Sequence, residues 1–323
     1  MDKNKDTSLW KKIPASVKTS GRIIITVILF YLILKNIDVN VVLATIIKAN
    51  IWGLVGVFFI FILFFLLLII RWQILLYAQG IKYPLLYIVN SFMIAYFFNN
   101  LLPTTIGGDV FRVMYTRNRA NVSKATSTVI VDRMGGFLAL FSVLLAASIM
   151  YALVEKRYMY LYIGLGGVVI SLLFFFIFLN KSVYRKFLPL IMKVPYIGER
   201  LGTLYDSLHL FRKRKFSLFF SFLFSFMIQL LLPILWFCIM LTVAGHSNVT
   251  VFFFFLVIPL VNSIAMLPIS IGGMGLREGS IIAFLTGAGI GKEVALAISL
   301  LFLLYNTFFS LIGGLIFLIR RHS

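Results

Sequence analysis

The sequence predicts an all-α polytopic membrane protein built as an inverted repeat of two halves, each with three spanning helices and a re-entrant hairpin. Three observations lead there. Of 323 residues, 61% are hydrophobic, 34 are Phe and only 12% are charged, more apolar surface than a soluble core could hide. Lys and Arg gather in alternate loops. Finally, LPTTIGGDVFR at 102 to 112 returns as LPISIGGMGLR at 267 to 277, so Pro103, Ile106, Gly107, Gly108 and Arg112 recur as Pro268, Ile271, Gly272, Gly273 and Arg277 at a constant offset of 165 residues. A fixed internal period marks a duplicated part. Six crossings with two re-entrant pairs fit these observations, with eight full spans as the alternative.

In order along the chain, residues 23 to 34, extended at either end, form a first spanning helix, and residues 51 to 70 form a second. The polar stretch before the first is too long for an ordinary cleaved signal, so that helix is expected to be retained. Arg71, Trp72 and Lys82 then read as a membrane interface. Residues 85 to 102 are apolar but carry Asn90, Ser91, Asn99 and Asn100, and they run into the first motif copy. Further apolar runs lie at 129 to 154, 158 to 179, 216 to 243, 251 to 267 and 294 to 319, with a short piece at 281 to 290.

The net charge of +20 suits cytoplasmic loops and anionic headgroups rather than nucleic acid. The basic N-terminus, the Arg71 to Lys82 segment, the Arg112 to Lys124 loop, the 181–215 linker and Arg320/Arg321 all belong on the cytoplasmic side. Two of these segments flank residues 85 to 111, which must therefore enter the bilayer and turn back at Pro103 to Gly108. Residues 251 to 290 form the counterpart entered from outside. Such irregular backbone is tolerated only where protein or water covers it. The division predicted is 1–155 and 156–323, both termini cytoplasmic, in a membrane expected to be a prokaryotic plasma membrane. In the linker, Leu201, Leu204, Leu208 and Phe211 make an apolar stripe beside Arg212 to Lys215, expected to lie against anionic lipid.

The motif has a physical reading. Proline stops a helix, the glycine pair permits a reversal, and the new helix presents N–H groups and a positive dipole end, with Arg112 or Arg277 about one turn in. That is a cradle for a phosphate. The plainer alternative is close packing by glycine with arginines reaching an interface. Asp109, Asp132, Arg133 and Glu278 are the charges nearby. Buried membrane charges pair or serve a pathway, so Asp132 is expected to pair with Arg112 or Arg133, or to carry a coupling proton. Asn99, Asn100, Gln229, Asn262 and Asn306 could line a cavity or bridge helices. The substrate-binding candidates are Asn99, Pro103, Gly107, Gly108, Asp109, Arg112, Asp132, Arg133, Pro268, Gly272, Gly273, Arg277 and Glu278.

Catalytic readings fare poorly. TGAGIGKE at 286 to 293 has Thr286 and Glu293 where a phosphate loop needs Gly and Ser or Thr. His209, His246 and His322 are scattered, and Cys238 is the single cysteine, so neither a metal cluster nor an intrachain disulfide is expected. No cofactor and no enzyme activity are predicted.

NNLLPTTIGGDVFR, VDRMGGFLAL at 131 to 140 and LPISIGGMGLREG at 267 to 279 resemble the flippase-like membrane domain of lysylphosphatidylglycerol synthases, also called the UPF0104 family. The similarity covers nearly the whole chain. It implies a part that moves aminoacylated phosphatidylglycerol between leaflets, while a separate soluble domain performs the tRNA-dependent transfer. That soluble domain is not expected in this chain, and a lysyltransferase name would be inherited from full-length relatives. Other stand-alone relatives are linked to polyprenyl-linked sugars or hopanoids. The expectation is a lipid translocase whose partners are membrane lipids, with a homodimer or a lipid-synthesising enzyme as further partners. A lipid-binding accessory subunit and a headgroup-modifying synthase are the alternatives.

Overall fold

A computed structural model of the chain describes residues 15–35, 37–102, 107–116, 122–156, 158–179, 197–245, 249–267, 269–270 and 273–321. Pro103, Pro268, Ile106, Ile271 and Gly272 of the motif lie outside the described residues. Among those described there is no strand, and the elements are α1 (Ala15–Leu34), α2 (Val39–Ile47), α3 (Ile51–Ala78), α4 (Leu85–Leu101), α5 (Gly107–Thr116), α6 (Val122–Glu155), α7 (Met159–Leu179), α8 (Ile197–Lys213), α9 (Lys215–Ala244), α10 (Val251–Ala265), α11 (Leu276–Gly287) and α12 (Lys292–Arg321). Five of them, α3, α6, α7, α9 and α12, are long and apolar enough to cross a bilayer. The segments Ile24–Leu34 and Val39–Ile47, bent by 83°, together make a sixth candidate, while α4 and α10 are shorter apolar helices. The chain is an integral membrane protein.

Local chemistry starts several of these helices. Asp38 accepts from the Asn40 N–H at 2.8 Å at the start of α2, and Asn50 accepts from Trp52 and Gly53 at 2.9 and 3.2 Å at the start of α3. In α9 and α10, Pro233 and Pro259 sit inside the helix, as neighbouring helices in a membrane bundle allow.

The order α3, α4, α5, α6 returns as α9, α10, α11, α12, with boundaries near the offset of the motif. Packing is reciprocal between the two sets: α3 lies along α9, α4 packs on α12, and α10 packs on α6. Small residues set the closest approaches, as expected where no hydrophobic force separates helix from lipid. A Cβ on Gly313 of α12 would stand 2.0 Å from the Met93 carbonyl oxygen of α4. Between α3 and α12 the space is filled by rings instead, with Phe61 stacked on Tyr305 at 5.2 Å and Phe65 against Phe309 at 4.8 Å.

The linker helix α8 departs from expectation. Leu208 and Phe211 are buried against Leu75, Ala78 and Val131 at the ends of α3 and α6, with Leu204 packed alongside. The Gln79 side chain also donates to the Ser207 carbonyl at 2.7 Å. Leu204, Leu208 and Phe211 of the stripe therefore face protein rather than lipid, because the ends of α3 and α6 offer them a ready apolar surface.

Candidate functional site

Glycine brings the first motif copy together. Where α4 meets α5, a Cβ on Gly108 would fall 1.9 Å from the Ala95 carbonyl oxygen, so only glycine lets the helices approach. The Gly108 N–H donates to Asn99 Oδ1 at 2.8 Å, which clasps α5 to α4. Both glycines are helical here. They provide close packing, and the N–H that the sequence reading assigns to an anion is already used by Asn99.

That packing places five charged side chains in one group drawn from α3, α5 and α6. The Asp132 carboxylate lies between two guanidiniums: Arg71 Nε is 2.6 Å from Oδ1, Arg71 Nη2 donates to Oδ2 at 2.9 Å, and Arg112 Nη1 donates to the same Oδ2 at 3.1 Å. Asp109 stands 3.9 Å from Arg112 Nη1 and accepts from Arg133 Nε. Arg71 reaches on to Ser225 Oγ of α9 at 3.1 Å. Arg71, Asp109, Arg112 and Asp132 are all buried, and Arg133 is half-buried, with its side chain 37% exposed. Three guanidiniums and two carboxylates leave a formal charge of +1. The Arg112 guanidinium also lies over the Phe92 ring at 4.3 Å and the Trp72 ring at 5.3 Å. Its Nε is buried without a hydrogen-bond partner.

The second copy is built differently. Gly273 and Gly275 have φ of +78° and +81°, the left-handed region that glycine enters without penalty, so here glycine does make the reversal. Glu278, wholly buried, accepts from the Gly275 N–H at 2.6 Å and thereby caps α11. Its other oxygen accepts from Arg277 Nη2 at 3.1 Å and Nε at 3.2 Å. The Arg277 guanidinium sits 5.1 Å from the Phe302 ring, which stacks on Trp236 at 4.3 Å. Glu278, a substrate-binding candidate in the sequence, is the cap of this copy.

Residues 20–314 match the family described as the lysylphosphatidylglycerol synthase TM region. The chain belongs to that family. The UPF0104 membrane protein PH1989 of Pyrococcus horikoshii is 24% identical over 292 residues, which cover 78% of this chain and 82% of that protein. Membership of the lysylphosphatidylglycerol synthase TM family is consistent with a membrane-lipid-related role. The matched region takes in both motif copies and every charged side chain described above.

Several sequence expectations change. Asp132 does pair with Arg112, but Arg133 turns to Asp109 and the second partner of Asp132 is Arg71. The sequence reading sets Arg71 and Trp72 at an interface because the apolar run pauses there. Instead α3 continues to Ala78, with Arg71 and Trp72 only 7% and 0% exposed. The signal for this was the apolar ILLYA that follows Arg71 and Trp72. Ser225 gave no signal in sequence. Asn306 accepts from the Tyr96 hydroxyl and ties α12 to α4, while Gln229 and Asn262 do not line the cavity between α6, α7, α9, α10 and α11. That cavity, of about 890 Å³, lies farther along α6 and contains no motif residue. A smaller one of about 220 Å³ borders Gly135 and Ser221, about one turn from Asp132 and Ser225.

Proposed function

We propose that the protein is a lipid translocase whose two halves are inverted relative to each other, with α4/α5 and α10/α11 as re-entrant hairpins. The headgroup phosphate of a phospholipid or polyprenyl-phosphate lipid is taken at the Gly107/Gly108/Arg112 end and then at the Gly272/Gly273/Arg277 end. No bond of the lipid is made or broken. The chain lies in a prokaryotic plasma membrane with both termini cytoplasmic, and lipids are its partners.

One observation carries this reading. Each carboxylate facing Arg112 has a second guanidinium: Arg71 for Asp132 and Arg133 for Asp109. Arg112 can therefore turn to a phosphate without leaving a buried carboxylate unpaired, which would otherwise cost several kcal/mol. The +1 charge of the group favours an anion over a cation there.

Purified protein in liposomes should move fluorescent phosphatidylglycerol or a polyprenyl phosphate between leaflets. Folded protein that moves neither would refute the proposal. The carboxylate partners of both arginines support a second reading, a lipid-binding accessory subunit that transports nothing. A stoichiometric enzyme co-purifying with inactive protein would favour it.

A further inference from the structure

The cavity of about 890 Å³ lies between α6, α7, α9, α10 and α11, away from the charged group. Among the described residues its lining carries no Lys, Arg, Asp, Glu or His, so these residues have no charged group with which to hold a headgroup. Val143, Ala147, Leu230, Phe253 and Phe284 are among the residues that line it. At one end stand the hydroxyl groups among its described lining residues: Tyr151 and Tyr160, packed edge to face at 5.7 Å beside the α6–α7 turn, and Thr250 at the start of α10. Tyrosines mark the level of the lipid headgroups. From Val143 to Val154, α6 runs about 16 Å at a rise of about 1.5 Å per residue, close to half of the roughly 30 Å hydrocarbon core. The mouth is open to the surroundings, with Met150 55%, Phe252 63% and Val154 78% exposed.

Depth, polarity and opening describe a slot one leaflet deep, apolar inside and hydroxylated at the interface. We infer that it is a binding site for one acyl chain of a bilayer phospholipid, entered sideways from the leaflet at the α6–α7 turn. The reciprocal packing supports this. The seam between α4 and α12 corresponds by the 165-residue offset to that between α10 and α6. It is closed by the contact of Gly313 with the Met93 carbonyl, whereas the α6–α10 side holds the cavity. The inference deepens the translocase reading and rests on it for transport: the slot holds the tail in one leaflet while the headgroup moves along the motif.

The test uses full-length protein in phosphatidylglycerol vesicles containing phosphatidylglycerol with a diazirine near the chain end, with cross-links mapped by mass spectrometry. Cross-links should fall on Met150, Phe253 or Phe284, and Ala147→Trp, which fills the slot, should lower them at least tenfold and slow transport similarly. Ala283→Trp at the mouth serves as a second variant, and thermal melting in detergent checks that each folds. Cross-links unchanged in both folded variants, or confined to lipid-facing Leu165 and Ile170 of α7, overturn the site. Wild-type protein that cross-links in the slot but moves no lipid sinks the translocase reading and leaves the chain site standing. Transport without cross-links in the slot does the reverse.

Discussion

The two copies of one motif solve the same problem, an arginine held among apolar side chains beside a helix start, by different means. In the first copy the arginine shares two carboxylates with two other guanidiniums, and five charges from three helices depend on one another. In the second, Arg277 has one carboxylate, and that carboxylate is also the cap of its own helix. The positions equivalent by offset to Arg71 and Asp132 are Trp236 and Ala297, so the apolar filling of one half replaces the ion pairs of the other. An arginine that shares its carboxylates can exchange partners at low cost, whereas a one-to-one buried pair holds its arginine in place. The first copy is thus the adaptable end and the second the fixed one.

The comparison can be broken by substitution, with effects ranked by how many buried charges lose their partner. Asp132→Ala leaves both Arg71 and Arg112 without their principal carboxylate and should cost about 5 kcal/mol, the upper end for breaking a buried pair, read as loss of folded protein in denaturant titration. Arg277→Gln strips Glu278 of its guanidinium and should cost about 3 kcal/mol; a change too small to resolve would mean that the cap alone stabilises Glu278. For Gly108→Ala, forced into the Ala95 carbonyl, about 2 kcal/mol of overpacking is expected, measured as a lowered melting temperature. Arg112→Gln should cost least, about 1 kcal/mol, since Asp132 keeps Arg71 and Asp109 keeps Arg133, and what is lost is chiefly contact with Phe92 and Trp72. If Arg112→Gln destabilises as much as Arg277→Gln, the contrast between the copies fails.

Much of the architecture was legible because membrane proteins write it in composition. Apolar runs located the long helices, and a period of 165 residues aligned α3 to α6 with α9 to α12. The charged group of the first copy was legible in membership but not in wiring. Asp109, Arg112, Asp132 and Arg133 could be named from their rarity in apolar surroundings, yet which carboxylate meets which arginine depends on helix rotation, which sequence does not record. Arg71 was misplaced because a charge after an apolar run looks like a helix end, and only the tertiary neighbours Asp132 and Ser225 keep it inside. The stripe of α8 was visible as a stripe, but its occupant, the ends of α3 and α6, was not.

The most direct measurement is the rate of labelled phosphatidylglycerol movement in proteoliposomes by wild type and Arg112→Gln, normalised to folded protein. The account predicts movement by wild type and at least a tenfold loss in Arg112→Gln with most of the protein still folded. Wild-type movement that falls in Arg112→Gln only in step with the folded fraction would contradict it.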